Sequence, residues 1–190
     1  MYPTKIEANG RVYPINTDYR VALACLEAIY DEEISDFERY FAVEGLLLGY
    51  DINNEDRGIL KEKMAIYLRC GEEENTPDGE VDFDYFEDMK YIRPSIRQTY
   101  NGLDIDKIDY LHWWEYNELI SGLLPDSVLN RVRELRNYDL NEIKDAKTKQ
   151  KMTKAKQSVA LNKRKRKKEL TDEEMNNIEE FYRLMGEELR

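Results

Sequence analysis

Two cysteines and one histidine are all that this 190-residue chain offers of the side chains that most often hold zinc or carry nucleophilic chemistry. Cys25 and Cys70 lie far apart and are too few for a disulfide framework or a zinc site. A single histidine excludes the paired-histidine zinc proteases, and no GxSxG, Walker or GxGxxG string is present. No apolar run approaches the roughly 20 residues that span a bilayer. The opening MYPTKIEANG has no apolar signal core. These absences lead to the expectation of a soluble cytoplasmic protein that uses no metal and no cofactor.

Charge, by contrast, is abundant. Charged residues make up 36% of the chain and hydrophobic residues 41%, so the core is modest and the surface heavily charged. The net charge of −11 conceals an asymmetry that the overall value would misstate for any partner. Residues 144–168 carry twelve Lys or Arg against one acid, Asp145. Residues 1–143 carry 15 basic and 31 acidic side chains, and residues 169–190 carry two and eight. A basic belt therefore separates two acidic blocks.

Elements follow from local patterns. KIEA and RVYP flank Asn9-Gly10, a pair that tolerates the positive φ angles of a type I′ turn, so a short edge hairpin is expected, closed by Pro14. From residue 17 the chain reads helical. Thr17 or Asp18 caps a helix with Tyr19, Ala22, Leu23, Leu26 and Tyr30 along one face. Ser35 and Glu38 form a capping box before Phe37, Tyr40, Phe41, Leu47 and Leu48, with Gly49 as the stop. A third helix is expected from about Glu55 to Arg69, ending at Gly71. Glu72 to Val81 is an acidic, turn-rich linker. Phe83 to Tyr100 resumes a helix that Pro94 should kink or restart, and Asn101-Gly102 closes it. Leu103 to Leu124 reads as one helix carrying Tyr110, His112, Trp113, Trp114 and Tyr116. A further helix follows Pro125-Asp126. From Asn141 to Lys168 apolar content is thin, and helix there would rest on propensity. Thr171 and Glu174 open a last amphipathic helix.

Candidate chemistry is weak at each place where it can be sought. Histidine is a residue type that can serve as a general base, but no nucleophile or second base stands beside His112, and a histidine packed among aromatics is the stronger reading. Asp51, Asn53, Glu55 and Glu62 match ligand positions of a calcium loop, yet Asp56 replaces the glycine of its sharp turn. Asp104, Asp106 and Asp109 read better as acids favoured near a helix N-terminus than as a cation site. Trp113 and Tyr116 read first as core, with exposure of Trp113 the sign that would favour a protein-binding surface. The belt of residues 144–168 contains no aromatic, which argues against base stacking, although its lysines and arginines would attract any polyanion.

Several of these strings together resemble a family of bacteriophage and prophage proteins from Gram-positive bacteria, the one named after gene product fifteen. The resemblance is carried by Ile15 through Arg20, by Tyr100 to Ile105, by His112-Trp113-Trp114 and by Gly122-Leu123, and spans residues 12 to about 165. Asn101-Gly102-Leu103 and Pro94 depart from the family pattern. The resemblance implies a tail-assembly chaperone, which binds the helical, apolar tape-measure protein and keeps it soluble until tail-tube subunits polymerise around it. On that reading Trp113 and Tyr116 contact the client. The region from Lys144 to Lys168, with Lys163, Arg164, Lys165, Arg166, Lys167 and Lys168 as its named contacts, recruits tail-tube protein or acidic client segments.

The fold expected is mainly α: a short N-terminal hairpin over residues 1–16, a helical body over 17–140 with its acidic linker, and a basic then acidic helical extension over 141–190. The function expected is non-enzymatic, without membrane contact. The rival is a nucleic-acid-binding accessory protein acting through residues 144–168, separable by its steeper salt dependence.

Overall fold

Asn9 and Gly10 adopt φ angles of 48° and 78°, and the turn they make pairs β1 (Lys5–Ala8) with β2 (Arg11–Pro14) antiparallel, Ile6 opposite Tyr13. This is a computed structural model, and it describes residues 1–72 and 81–162. Among them are seven α-helices and one two-stranded sheet, so the protein is mainly α with a short N-terminal hairpin. The expected helix over 171–189 lies outside the described residues, as does most of the linker.

The described residues form two compact units, residues 1–72 with 112–114, and residues 81–111 with 115–162. In the first unit, α1 (Tyr19–Tyr30) starts where the Asp18 side chain accepts the Arg20 N–H at 2.8 Å. α2 (Asp36–Leu48) has the expected capping box: Ser35 Oγ accepts the Glu38 N–H, and the Glu38 carboxylate accepts the Ser35 N–H at 2.7 Å. Gly49 ends it with φ 79°. A 3-10 turn leads into α3 (Arg57–Leu68), and Cys70 and Gly71, both at positive φ, turn the chain away. Ala8 and Tyr13 of the hairpin pack on Leu60 of α3, with Ile6, Leu48 and Ile52 around them. Tyr19, Ala22 and Cys25 supply the buried face of α1, and Val43 and Leu47 that of α2.

In the second unit two helices are shorter than expected, for one shared reason. Phe83 and Asp84 have no regular structure and residues 85–88 are turn, because the Asp84 carboxylate accepts the N–H groups of Phe86 and Glu87 at 2.8 and 2.9 Å. Residues 103–112 hold only a 3-10 turn at Ile105–Lys107, with the Asp104 carboxylate accepting the Asp106 N–H. Short acidic side chains that satisfy nearby backbone donors compete with the helix. The helix α4 (Met89–Thr99) shows the opposite error, since it runs through Pro94 without a break. Proline leaves the Lys90 carbonyl without its helical N–H, a cost outweighed by full burial of Ile92, Ser95 and Ile96 on one face. Helix α5 (Trp113–Ser121) is consequently only nine residues long. Helix α6 (Val128–Asn137) is capped by Ser127.

Helix α7 (Ala146–Ser158) belongs to this unit rather than to an independent arm. Its cap is Asp145, which accepts the Thr148 N–H at 2.7 Å. Arg136 of α6 donates to the Val159 carbonyl at 2.6 Å, and Lys156 donates to the Tyr138 carbonyl at 3.0 Å. Arg136 also makes a two-point ion pair with fully buried Asp88, both contacts at 2.7 Å. Asp88, two turns upstream of Ser95, thereby ties the start of α4 to the end of α6.

Candidate functional site

The residues that carry the family resemblance lie in two clusters, and in both their polar groups are engaged by the fold. Ile15 donates to the Thr4 carbonyl at 2.9 Å and Asn16 to the Leu47 carbonyl at 2.7 Å. The Trp113 N–H reaches the Thr17 carbonyl at 2.8 Å, and Asp18 and His112 form an isolated antiparallel bridge. His112 therefore precedes α5 instead of lying within an aromatic helix. Its Nδ1 accepts the Trp114 N–H at 3.0 Å, in the manner of a helix cap. A backbone N–H can only donate, so the ring proton sits on Nε2, which donates to the Pro3 carbonyl at 3.0 Å. Tyr2 stacks on the ring with centroids 4.8 Å apart. Both nitrogens are thus occupied, and the ring holds the N-terminus against the start of α5.

The two tryptophans complete a clasp. Trp113 Nε1 donates to the Leu68 carbonyl at 3.0 Å, and Trp114 Nε1 to the Tyr67 carbonyl at 2.9 Å. These are end carbonyls of α3, that of Tyr67 also accepting the Cys70 N–H at 3.0 Å, so adjacent indoles help to cap a helix C-terminus. Gly71 fits this arrangement: it has φ 85°, and a Cβ there would lie 3.0 Å from the Trp114 ring. In the second unit Tyr100 donates to the Leu119 carbonyl at 2.9 Å, and a Cβ on Gly122 would come within 2.6 Å of the Tyr100 hydroxyl. Asn101 and Gly102 take positive φ, and the Gly102 N–H returns to the Arg97 carbonyl at 2.8 Å. The strings that mark the family are helix stops, caps and close approaches.

The remaining candidates are also held structurally. Asp56, fully buried at the start of α3, receives Asn9 at 2.7 Å, Arg11 at 3.0 Å and the Tyr13 hydroxyl at 2.5 Å, which docks the hairpin. Those donors, Tyr13 first, hold its carboxyl below the usual carboxylate range. Asn53 caps the 3-10 turn at Glu55, so the segment that resembled a calcium loop is a helix entry. Asp104 pairs with Arg97 at 2.7 Å and Asp106 with Arg93 at 3.0 Å. Among the described residues no three His, Cys, Asp or Glu side chains gather as a metal ion would need. Burial pushes the Cys25 thiol up to about 12, away from thiolate chemistry. Glu44 is buried beside Tyr40 at 2.8 Å and Arg57 at 3.2 Å, and burial raises its carboxyl above the ordinary range.

Of the predicted partner residues, Trp113 is 1% exposed and Tyr116 0%, so both side chains lie in the core. Their reading as core in the first place agrees with this burial. Lys163, Arg164, Lys165, Arg166, Lys167 and Lys168 lie outside the described residues. Sequence reasoning did not single out the exposed apolar side chains Ile59 and Ile66 on α3, Leu46 on α2 and Tyr50 beyond it. The seven-residue spacing of Ile59 and Ile66, two helical turns, was the available signal.

Both family clusters fit one phage protein family, and a family model confirms it. The model of the Bacteriophage Gp15 protein family matches residues 2–161, and the chain belongs to that family. Neither the curated proteins nor the solved structures gave a match. No described helix is long and apolar enough to cross a membrane.

Proposed function

We propose that this member of the bacteriophage Gp15 family is a non-enzymatic tail-assembly chaperone that acts in the cytoplasm of a Gram-positive host. It binds the tape-measure protein and keeps it from aggregating until tail-tube subunits close around it. Family membership over residues 2–161 is the observation that carries the reading. The acidic composition supports it, since a net charge of −11 keeps a complex with an apolar client dispersed. With Trp113 and Tyr116 in the interior, contact falls to apolar side chains exposed on helices. Ile59 is 36% exposed and Ile66 44%, one stripe of α3 against which a client helix can lay its own apolar face.

Co-expression of the full chain with the tape-measure protein of the same phage tests this. Soluble client that co-purifies with the wild type, and is lost with the double variant Ile59→Lys, Ile66→Lys at unchanged helical content, is the expected result. Client that stays insoluble with the wild type refutes the chaperone role. Nucleic acid that co-purifies instead and leaves at high salt moves the function to the rival reading.

A further inference from the structure

Helix α7 has one face docked and one bare. Lys149, Met152, Thr153, Lys156 and Val159 are partly covered, whereas Lys147, Lys151 and Lys154 are exposed. The spacing of four then three residues aligns those lysines on one stripe about 10 Å long. None of the three makes an ion pair with a described residue. Two features argue that the stripe is not merely a solvated face. Lys147 and Lys149 stand in the first turn, where the helix dipole disfavours cations. The helix contains no Asp or Glu, and the cap Asp145, four residues before Lys149, is the one acid at that spacing; Lys147, Lys151 and Lys154 have none.

The opposite violation occurs at the other end of the fold's charge range. Glu27, Asp31, Glu32 and Glu33 are exposed at and just after the C-terminus of α1, where the dipole disfavours anions, and the last turn of α1 holds no basic residue. Arg39, the cation closest in sequence, is turned to the Asp31 carbonyl and the Asp36 carboxylate. Ile29 and Tyr30 are 39% and 47% exposed beside the acids. Each patch is locally unfavourable, and each would be relieved by the other.

We propose that copies of this chain associate head to tail, the α7 lysine stripe of one copy seated on the acidic tip after α1 of the next. The contact is independent of the client. It is heterologous, so it extends into a ring or an open array rather than stopping at a symmetric pair. The stripe selects a protein carboxylate surface over nucleic acid. It has no arginine to grip phosphate in two-point fashion and no aromatic to stack on a base. The acidic blocks on either side of the belt would also repel a polyanion longer than the stripe.

Sedimentation velocity on the full chain at low and high salt tests the proposal. The expected result is a mass that rises with concentration at low salt and collapses to monomer at high salt. Both K147E/K151E/K154E and E27K/E32K/E33K should weaken association at least about tenfold, because each turns attraction into repulsion at three positions. Mixing the two variants should restore assembly, since each then meets its complement on the other. These residues are exposed, so circular dichroism should show unchanged folding. A wild-type monomer at every concentration and salt would overturn the proposal. So would association indifferent to both triple variants, failure of the mixture to reassemble, or a stripe occupied by nucleic acid that co-purifies with the protein.

Discussion

Replacing Trp113 with Phe separates an interior role from a partner-contact role. The change keeps an aromatic ring but removes the indole N–H that reaches the Leu68 carbonyl at 3.0 Å. A buried carbonyl left without its donor costs about 1–3 kcal/mol. Losing part of a side chain that is 1% exposed adds about 1–2 kcal/mol for the space left behind. The expected loss is therefore about 2–5 kcal/mol, a large part of the roughly 5–15 kcal/mol that stabilises a typical domain. Trp114→Phe is the internal control. Its carbonyl partner, that of Tyr67, also accepts the Cys70 N–H at 3.0 Å, and the ring is only partly covered, so about 1 kcal/mol is expected. Urea unfolding followed by far-ultraviolet circular dichroism reads both without depending on tryptophan emission. A midpoint for the Trp113 variant equal to or above that of the Trp114 variant, at unchanged slope, would refute the clasp.

Three other expectations follow from the same geometry. Asp56 has its folded pKa depressed, so its stabilisation of the docked hairpin is complete above about pH 4 and is lost as pH falls through the lowered folded value. Amide exchange at Ala8 and Tyr13 should accelerate in acid for the wild type, and Asp56→Asn should flatten that dependence. Asp88→Ala should cost about 3–5 kcal/mol because it strands a buried guanidinium, whereas the apolar pair Asp88→Leu, Arg136→Met should recover most of that loss in thermal melts. Gly45→Ala should raise stability by about 0.5–1 kcal/mol in the same melts: the atoms nearest the new methyl are the ring end and hydroxyl of Tyr50, a side chain exposed enough to swing aside.

Local chemistry was the legible part of this sequence. The hairpin, its type I′ turn and the Ser35–Glu38 box are decided by residues within a few positions of one another, and each is where the pattern placed it. The errors arise where distance along the chain matters. Pro94 was expected to kink or restart its helix because its local cost is certain, and the helix runs on through it because the burial of Ile92 and Ile96 depends on elements elsewhere. The aromatic run was read as one helix because its apolar spacing is helical. Asp104, which binds Arg97 and the Asp106 N–H, instead pulls the preceding segment into a 3-10 turn. The same limit hid Asp56. Nothing near it in sequence announces three donors arriving from a hairpin more than forty residues away.

This difference bears on how a family signature should be read. One histidine and two tryptophans carry much of the family resemblance, and of these only Trp113 was expected to touch a client. Each has its ring nitrogens committed: His112 to the Trp114 N–H and the Pro3 carbonyl, the indoles to the end of α3. A binding partner would have to break those bonds before it could make its own. Buried carbonyls left behind would cost about 1–3 kcal/mol each, more than a single new contact returns. The signature thus defines the scaffold. On the functions proposed above, recognition falls to side chains the fold leaves exposed, the apolar stripe on α3 and the two opposed charge patches.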